Sequence, residues 1–207
     1  MPVSPAKSAS CLRCVLARAL CAVLLFASPA WPAAAEDAKP LTAIVLVARD
    51  ELRDPNFADS VVLVMNHLGP APVGLVINRP TDIPVSHLFP DLKRLAALPD
   101  KVYFGGPVEL TSVWFLFRAT RPPEHAVQAF GSIYLSTNRE LLLQLLARDK
   151  PMDKLRIFIG HSGWGPGQLE AEIAQGAWQL EHADPDAIFS RKSEHRWPAP
   201  AHPDNST

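Results

Sequence analysis

Residues 155–173 read LRIFIGHSGWGPGQLEAEI and join a strand to a helix through a glycine-rich corner. The apolar run 155–160 predicts a short buried strand. Glycines at alternate positions within 163–167 allow backbone angles that other residues resist. Pro166 is a favourable first helical residue, and Gly176 is favourable just beyond a helix end. The stretch therefore predicts a strand, a tight corner and a helix from near Pro166 to Gly176.

Seven further runs of apolar and β-branched residues predict short strands. They span residues 41–48, 60–67, 73–78, 101–104, 113–119, 131–135 and 178–182. The turn sequence Gly69-Pro70-Ala71-Pro72 joins the second run to the third, which predicts an antiparallel hairpin. Arg79-Pro80 ends the third run, and residues 121–129 read as a loop.

The predicted helices are inserted between the later strands. Thr137-Asn138-Arg139-Glu140 resembles a capping box, in which Thr137 caps a helix and Glu140 reaches back to the cap amide. That helix continues to about Asp149, because Pro151 stops it. Residues 85–98 are weakly helical. Early hairpins and later helices predict an α/β fold of the α+β type, with a mixed, largely antiparallel sheet and a few packed helices.

The composition is that of one globular domain. The chain has 207 residues, of which 48% are hydrophobic and 20% are charged, and these are ordinary values for a globular protein. A domain of this size buries enough surface to fold without a disulfide or a metal. No internal repeat or second core-sized block is present. We expect one domain over residues 41–197 and a disordered, proline-rich tail over 198–207.

Residues 1–35 differ from the rest of the chain. They hold three bases, no acid and all three cysteines, and the remainder has 17 basic and 21 acidic residues, a formal charge of −4. The apolar run 19–30 follows those bases and precedes Ala33-Ala34-Ala35, a pattern typical of a cleaved signal peptide. Prolines interrupt the run, which is too short to span a bilayer stably. We expect an exported, periplasmic protein; the alternative is a misassigned start codon on a cytoplasmic one.

The sequence does not match the motifs of common enzyme and metal sites. A nucleophile elbow needs the sequence G-x-S-x-G. Residues 160–164 match it up to the last position, where Trp164 stands in place of the required glycine. No phosphate-binding glycine loop is present. His67 and His161 each end a predicted strand, but no two histidines have metal-ligand spacing. We expect no catalytic residue, no metal and no cofactor, and we interpret His67 as a strand-end residue hydrogen-bonded to a loop.

The remaining candidates for binding lie at three corners between predicted elements. Arg79 could hold an anion or carboxylate through two hydrogen bonds, or it could brace its corner internally. Because residues four apart share a helix face, one face of the helix after Pro166 is expected to line a concave site. The alternative is that the glycines only permit a tight corner and Trp164 fills the core. The candidate ligand-binding residues are Asn78, Arg79, Gly105, Gly106, Gly165, Gln168 and Glu172.

The order and spacing of these corners resemble the AlgH/YqgE family. The matching segments are Asp54-Pro55-Asn56-Phe57, Ser60-Val61-Val62-Leu63 with His67, Gly74-Leu75-Val76-Ile77-Asn78-Arg79-Pro80, Gly105-Gly106-Pro107-Val108, residues 163–173 and Trp178. The resemblance covers about residues 41–197 and implies a bifurcated sheet curled into a pseudo-barrel. It implies no catalytic residue or cofactor, although some members carry the label of transcriptional regulator.

The sequence departs from the family pattern at its start. Members usually begin almost directly with the first strand, which runs into a Met-Pro pair where this chain has Ala48-Arg49-Asp50-Glu51. Direct nucleic-acid binding is not expected, because the charge after residue 35 is negative and the bases are dispersed.

Three functions stay open at this point. We expect a non-enzymatic binding or regulatory domain that recognises an unidentified small ligand or protein partner. One alternative is a hydrolase or transferase that uses His161, Ser162 and an acid such as Glu172. The other is a cytoplasmic transcriptional regulator with a misassigned start.

We predict that the mature protein begins at Glu36, because Ala33-Ala34-Ala35 follows an apolar run of signal length. Mass spectrometry of the N-terminal peptide of the native protein measures this directly. An intact Met1 in the folded protein would exclude export, and a start far from residue 36 would exclude this cleavage site.

Overall fold

The computed structural model describes residues 43–52 and 54–189. The predicted signal peptide, its cleavage site and the predicted tail 198–207 lie outside these residues. Within the described part of the chain, no helix is long and apolar enough to cross a membrane.

The described residues form ten strands, four helices and a 3₁₀ turn at Lys93–Ala97. The strands are β1 (Ala43–Ala48), β2 (Val61–Met65), β3 (Val73–Val76), β4 (Pro80–Pro84), β5 (Lys101–Phe104), β6 (Val108–Arg118), β7 (Val127–Phe130), β8 (Ile133–Ser136), β9 (Leu155–Gly163) and β10 (Trp178–His182). The helices are α1 (Val85–Leu88), α2 (Arg139–Leu146), α3 (Gln168–Ala174) and α4 (Pro185–Ile188).

The strands form one mixed sheet in the order β10-β1-β2-β3-β9-β6-β8-β7. The antiparallel pair of β4 and β5 joins this sheet through a parallel pairing of β5 with β9. All the other strand pairings are antiparallel. The sheet curls into a half-barrel. His67, just after β2, shows the curl, because its Nε2 lies 2.8 Å from the carbonyl oxygen of Gln128 on β7. The predicted α+β class and largely antiparallel sheet are therefore confirmed.

Both faces of the central strands are covered, so strands such as β1 and β2 are apolar on both sides. Alternate residues of β1 and β2 point into the half-barrel, together with Phe158 and Leu116. Their neighbours on the outer face pack under α3 with two tryptophans. The outer face of β6, β8 and β9 packs under α1, the 3₁₀ turn and α2. This double burial explains why runs such as residues 43–48 are continuously apolar rather than alternating.

Two backbone segments cross at van der Waals distance where β9 passes from one half of the sheet to the other. Early in β9, Phe158 and Ile159 pair with β5 and β6, whereas Ser162 and Gly163 pair with β3. Gly105 and Gly106, between β5 and β6, pass directly over this point. A Cβ built on Gly105 would lie 2.2 Å from the carbonyl oxygen of Gly160.

The buried hydroxyl of Ser162 fixes this crossing. It is fully buried and donates a hydrogen bond of 3.0 Å to the carbonyl oxygen of Gly105. The same carbonyl accepts the backbone N–H of Val76 on β3 at 2.9 Å, and the N–H of Gly105 donates to Ile159 at 2.9 Å. Gly160 has a φ of 68°, which bends β9 where it changes partners. The crossing therefore connects β3, β5, β6 and β9.

Several predicted boundaries are corrected by the structure. The helix cap is Asn138 rather than Thr137, because its side chain accepts the N–H of Leu141 at 2.9 Å. Helix α3, predicted to begin near Pro166, begins two residues later at Gln168, after Gly167 with a φ of 73°. Gly176, with a φ of 78°, does follow the end of this helix as predicted.

Two strands were not predicted. Pro80 was expected only to end a strand, yet it begins β4, where it pairs with Tyr103. Proline is tolerated at the first residue of an edge strand, because no ladder hydrogen bond from its nitrogen is needed there. Residues 127–130, within and beside the predicted loop, form β7, whose exposed outer residues hide its strand pattern.

We predict that Gly105→Ala destabilises the protein by about 1–3 kcal/mol or more, because overpacking a close backbone contact costs this much. Gly163→Ala on β9 is the matched control, since a Cβ there meets no atom within 4 Å. Its stability should change by less than about 1 kcal/mol. Denaturant unfolding followed by circular dichroism measures both, and equal stability of the two variants would contradict a glycine-dependent crossing.

Candidate functional site

The second predicted corner lies inside the fold. Gly105 and Gly106 are buried, and a Cβ on Gly106 would lie 2.4 Å from the Ser162 hydroxyl oxygen. The close approach leaves no space for a ligand above these two glycines on that side. Their absent side chains make room for the neighbouring backbone.

Asn78 and Arg79, at the first corner, hold the loop that connects β1 to β2. The Arg79 guanidinium donates to the carbonyl oxygens of Asn56 and Ala58, each at 2.7 Å. The Asn78 amide accepts the N–H of Val61 and donates to the carbonyl oxygen of Asp59, each at 2.9 Å. Arg79 thus bonds backbone groups on either side of Phe57, and Asn78 bonds backbone groups that follow it.

At the third corner, polar side chains join two indoles; we call Trp164, Trp178 and Glu172 the tryptophan–glutamate cluster. One carboxylate oxygen of Glu172 accepts from the indole nitrogens of Trp164 and Trp178, at 3.0 and 2.8 Å. The other accepts from Gln168 at 2.9 Å, and Gln168 in turn accepts the N–H of Gly165 at 3.0 Å. Gln168 and Glu172 do share a helix face. Gly165 does not have a positive φ, so the left-handed residue of this corner is Gly167.

Phe57 connects the first corner to the third. Its ring stacks on Trp164 with centroids 6.2 Å apart and meets Trp178 edge-on at 5.8 Å. The two indoles are almost fully buried. The structure thus links Asn78 and Arg79 to Gln168 and Glu172 through the contacts of Phe57 with the two indoles, while Gly105 and Gly106 belong to the separate crossing. The ligand-binding role of the seven residues stays a prediction.

The alternative catalytic set is not assembled in this structure. Among the described residues, no hydrogen bond joins His161, Ser162 and Glu172 to one another. The Ser162 hydroxyl is buried and bonded to Gly105, and Glu172 is bonded to both indoles. His161 instead packs on Trp114, with ring centroids 4.7 Å apart. Partial burial lowers the pKa of His161, and the Glu109 carboxylate opposes this shift.

None of the seven candidate residues lines a cavity of about 730 Å³, although Pro80 of its wall directly follows Arg79. The wall combines residues of β4 and β5, the loop before β5, the loop from α2 to β9 and Phe189. The lining includes Arg156, which is 4% exposed and is the one charged residue among the buried described residues. Its guanidinium lies 4.3 Å from the centre of the Tyr103 ring and donates to the carbonyl oxygen of Ile77 at 2.8 Å. In the described ranges, no three histidine, aspartate or glutamate side chains lie close enough to hold a metal ion.

The sequence reasoning missed this cavity, although one signal pointed to it. Arg156 is the only polar residue in the apolar run 155–159, where each neighbour was expected in the core. A charge at such a position is costly unless it has partners or a role, so it marks a site to investigate. Most of the other lining residues come from loops that carry no recognisable motif.

Comparison with protein families and relatives supports the resemblance found in the sequence. A family model described as AlgH-like matches residues 45–202. A UPF0301 protein of Streptomyces avermitilis is 38% identical over 168 residues, which are 76% of this chain and 83% of that protein. A UPF0301 protein of Paraburkholderia phymatum is 35% identical over 166 residues, 77% of this chain and 85% of that protein.

Two solved structures have a similar fold. The solution structure of the AlgH protein from Pseudomonas aeruginosa aligns with a TM-score of 0.60 at 32% identity, over 74% of this chain and 82% of that one. A crystal structure of a Corynebacterium diphtheriae protein aligns with a TM-score of 0.54 at 26% identity, over 72% and 78% of the two chains.

We predict that Glu172→Ala destabilises the protein by about 2–3 kcal/mol, because it leaves two buried indole N–H groups without their charged acceptor. Glu170→Ala is the matched control, since Glu170 is exposed on the same helix, and it should change stability by less than about 0.5 kcal/mol. Thermal and denaturant unfolding compare the two variants. Equal stabilities would show that the cluster does not brace α3, and would favour a ligand role for this carboxylate.

Proposed function

The chain belongs to the AlgH-like family, and we propose that it is a binding domain without enzymatic activity that holds a small molecule in the cavity beside Arg156. The cavity carries this proposal. Its volume of about 730 Å³ is within the range of small-molecule sites in proteins, about 300–1,000 Å³. Its lining mixes apolar side chains with seven charged ones.

The position of Arg156 supports a binding role over a purely structural one. Burial of a guanidinium is costly, and the contacts of Arg156 with the Ile77 carbonyl and the Tyr103 ring are among those that offset this cost. A hydrophobic residue of similar volume would fill the same strand position at less cost. An arginine lining a cavity has a use that such a residue lacks, since it can recognise a ligand through directed hydrogen bonds.

A non-enzymatic role is supported by the engagement of the nucleophile and acid candidates. A serine nucleophile needs a base within hydrogen-bond reach and access to a substrate. Ser162 is fully buried and donates a hydrogen bond to Gly105, while Glu172 accepts hydrogen bonds from two indole N–H groups. Neither residue lines the cavity. A reaction in the cavity would therefore have to use other groups.

We also propose that this binding takes place after export to the periplasm. The charge and apolar pattern of residues 1–35 supports this proposal. A regulator acting directly on DNA is the less favoured alternative, because the chain after residue 35 has a formal charge of −4. Cleavage at Glu36 decides between the two compartments independently of any ligand.

We predict that a neutral apolar fluorophore, N-phenyl-1-naphthylamine, binds the cavity saturably with one site per chain. Met152→Trp should weaken this binding at least about tenfold, because the indole occupies cavity volume next to a partly buried lining position. Leu180→Trp is the matched control, since Leu180 is exposed on β10 and does not line the cavity. Fluorescence titration and calorimetry measure both variants.

Pro99→Trp, at an exposed lining position, provides a second blocking variant if Met152→Trp does not fold. The proposal is wrong if the fluorophore does not bind saturably, or if the blocking variants bind it as tightly as the Leu180→Trp protein does.

A further inference from the structure

We infer that two copies of this chain associate through their β10 strands, which pair antiparallel and join the two sheets into one. This inference goes beyond the proposed function and is independent of it, because no residue of β10 lines the cavity. The open edge of β10, its contrast with the other sheet edges and its self-complementary sequence each support this association.

One edge of β10 is paired and the other is open. All five residues of β10 pair with β1 without a register shift, and no strand of the described residues pairs with the other edge. The N–H of Arg49 donates to the carbonyl oxygen of Ala177 at 3.0 Å, so the odd-numbered residues of β10 direct their backbone groups towards β1. The N–H and C=O groups of Trp178, Leu180 and His182 therefore point to the open edge.

Two other strands in the described sheet, β4 and β7, have an open edge, and both are protected against pairing. Proline occupies both ends of β4, at Pro80 and Pro84. Strand β7 has four residues and a register shift in its pairing with β8, and the carbonyl oxygen of Gln128 lies 2.8 Å from Nε2 of His67. Prolines, bulges and short length are devices by which proteins block edge-to-edge association. Strand β10 has no proline, no lysine and no bulge, so it is the edge best able to accept another strand.

The sequence of β10 is complementary to itself about its central residue, Leu180. With a two-fold axis beside Leu180, the two leucines lie opposite each other, and Gln179 of each copy lies opposite Glu181 of the other. The Gln179 amide donates to Glu181 of its own chain at 2.7 Å, and its second N–H can donate to the carboxylate of the other copy. Leu180 is 51% exposed and buries apolar surface against its copy.

The same axis satisfies the backbone groups of the open edge. Each outward N–H of one strand then donates to an outward C=O of the other, which is the hydrogen-bond pattern of an antiparallel pair. An extended peptide of another protein would obtain these backbone bonds but not the match of Gln179 with Glu181, which favours a second copy as the partner. One strand from each copy makes a small interface, so we expect a dimer that dissociates in the micromolar range.

The association is tested by analytical ultracentrifugation of the full chain at micromolar to millimolar concentrations, where we expect a monomer–dimer equilibrium. Leu180→Pro should weaken the dimer at least about tenfold, because it removes an outward N–H and leaves the bonds to β1 in place. Leu180→Val is the matched control, since it retains that N–H and an apolar side chain, and should weaken the dimer by less than about threefold.

A second pair of variants serves if Leu180→Pro does not fold. Gln179→Lys places a positive charge opposite Glu181 of the other copy and should tighten the dimer, whereas Gln179→Glu places like charges opposite each other and should weaken it. We expect the two dissociation constants to differ at least about fivefold, because each dimer contains this pair twice. The reverse order would overturn the proposed register.

Cross-linking tests the register directly, in a full chain whose three cysteines, all within residues 1–35, are replaced by serine. Leu180→Cys should form an intermolecular disulfide on oxidation, because Cα atoms of a hydrogen-bonded pair lie about 5.5 Å apart. His182→Cys, exposed on the same face, is the matched control. Its two copies lie four residues out of register, about 13 Å apart along the strands, which is too far for a disulfide.

Three results would overturn the inference: a natural chain that stays monomeric at every concentration, a dimer that folded Leu180→Pro does not weaken, or cross-linking of His182→Cys as rapid as that of Leu180→Cys. The first result would leave the open edge to an extended peptide of another protein. Saturable binding of the fluorophore depends on none of these outcomes, so the failure of the dimer and the failure of the proposed function are distinguishable.

Discussion

Two backbone segments approach closely where the β5–β6 connection passes over β9, and the arrangement of the sheet depends on this contact. Gly105, Gly106 and Gly160 bring carbonyl oxygens to positions where side chains would otherwise stand. At this point β9 leaves β5 and β6 and pairs with β3, and Ser162 ties the crossing to Gly105 through a buried hydrogen bond. Without this close contact, the two halves of the sheet could not share one continuous strand, and the half-barrel would not form.

The residues that make the family recognisable act mainly on this architecture. Arg79 binds the backbone on either side of Phe57, and Asn78 binds the backbone that follows it. Phe57 packs on the two indoles that donate to Glu172. A network of this kind is cooperative, because each donor would be costly to leave unpaired once buried. Such a motif identifies a fold with high specificity, yet it says little about a ligand.

The strands with strong apolar runs could be predicted from the sequence, because burial on both faces leaves an unmistakable pattern. The sequence did not predict that Asn138 caps helix α2, or that short strands begin at Pro80 and Val127. Their local sequences suit loops as well as strands, and tertiary pairing decides between them. The left-handed glycine of the third corner proved to be Gly167 rather than Gly165, since spacing alone does not distinguish which of several glycines bends the chain. The cavity was also beyond prediction, because its wall comes from segments far apart in sequence.

Strand β9 contributes to three different parts of the structure. Its second residue, Arg156, lines the cavity, its centre packs Phe158 into the half-barrel, and its end forms the crossing and leads to Trp164. The crossing tolerates little change, because backbone atoms meet there directly. The cavity wall is built largely from loop segments such as residues 149–154, and loops accept substitutions that packed strands do not. A scaffold with this division can retain the same glycine crossing and indole cluster while the loops of the cavity wall vary.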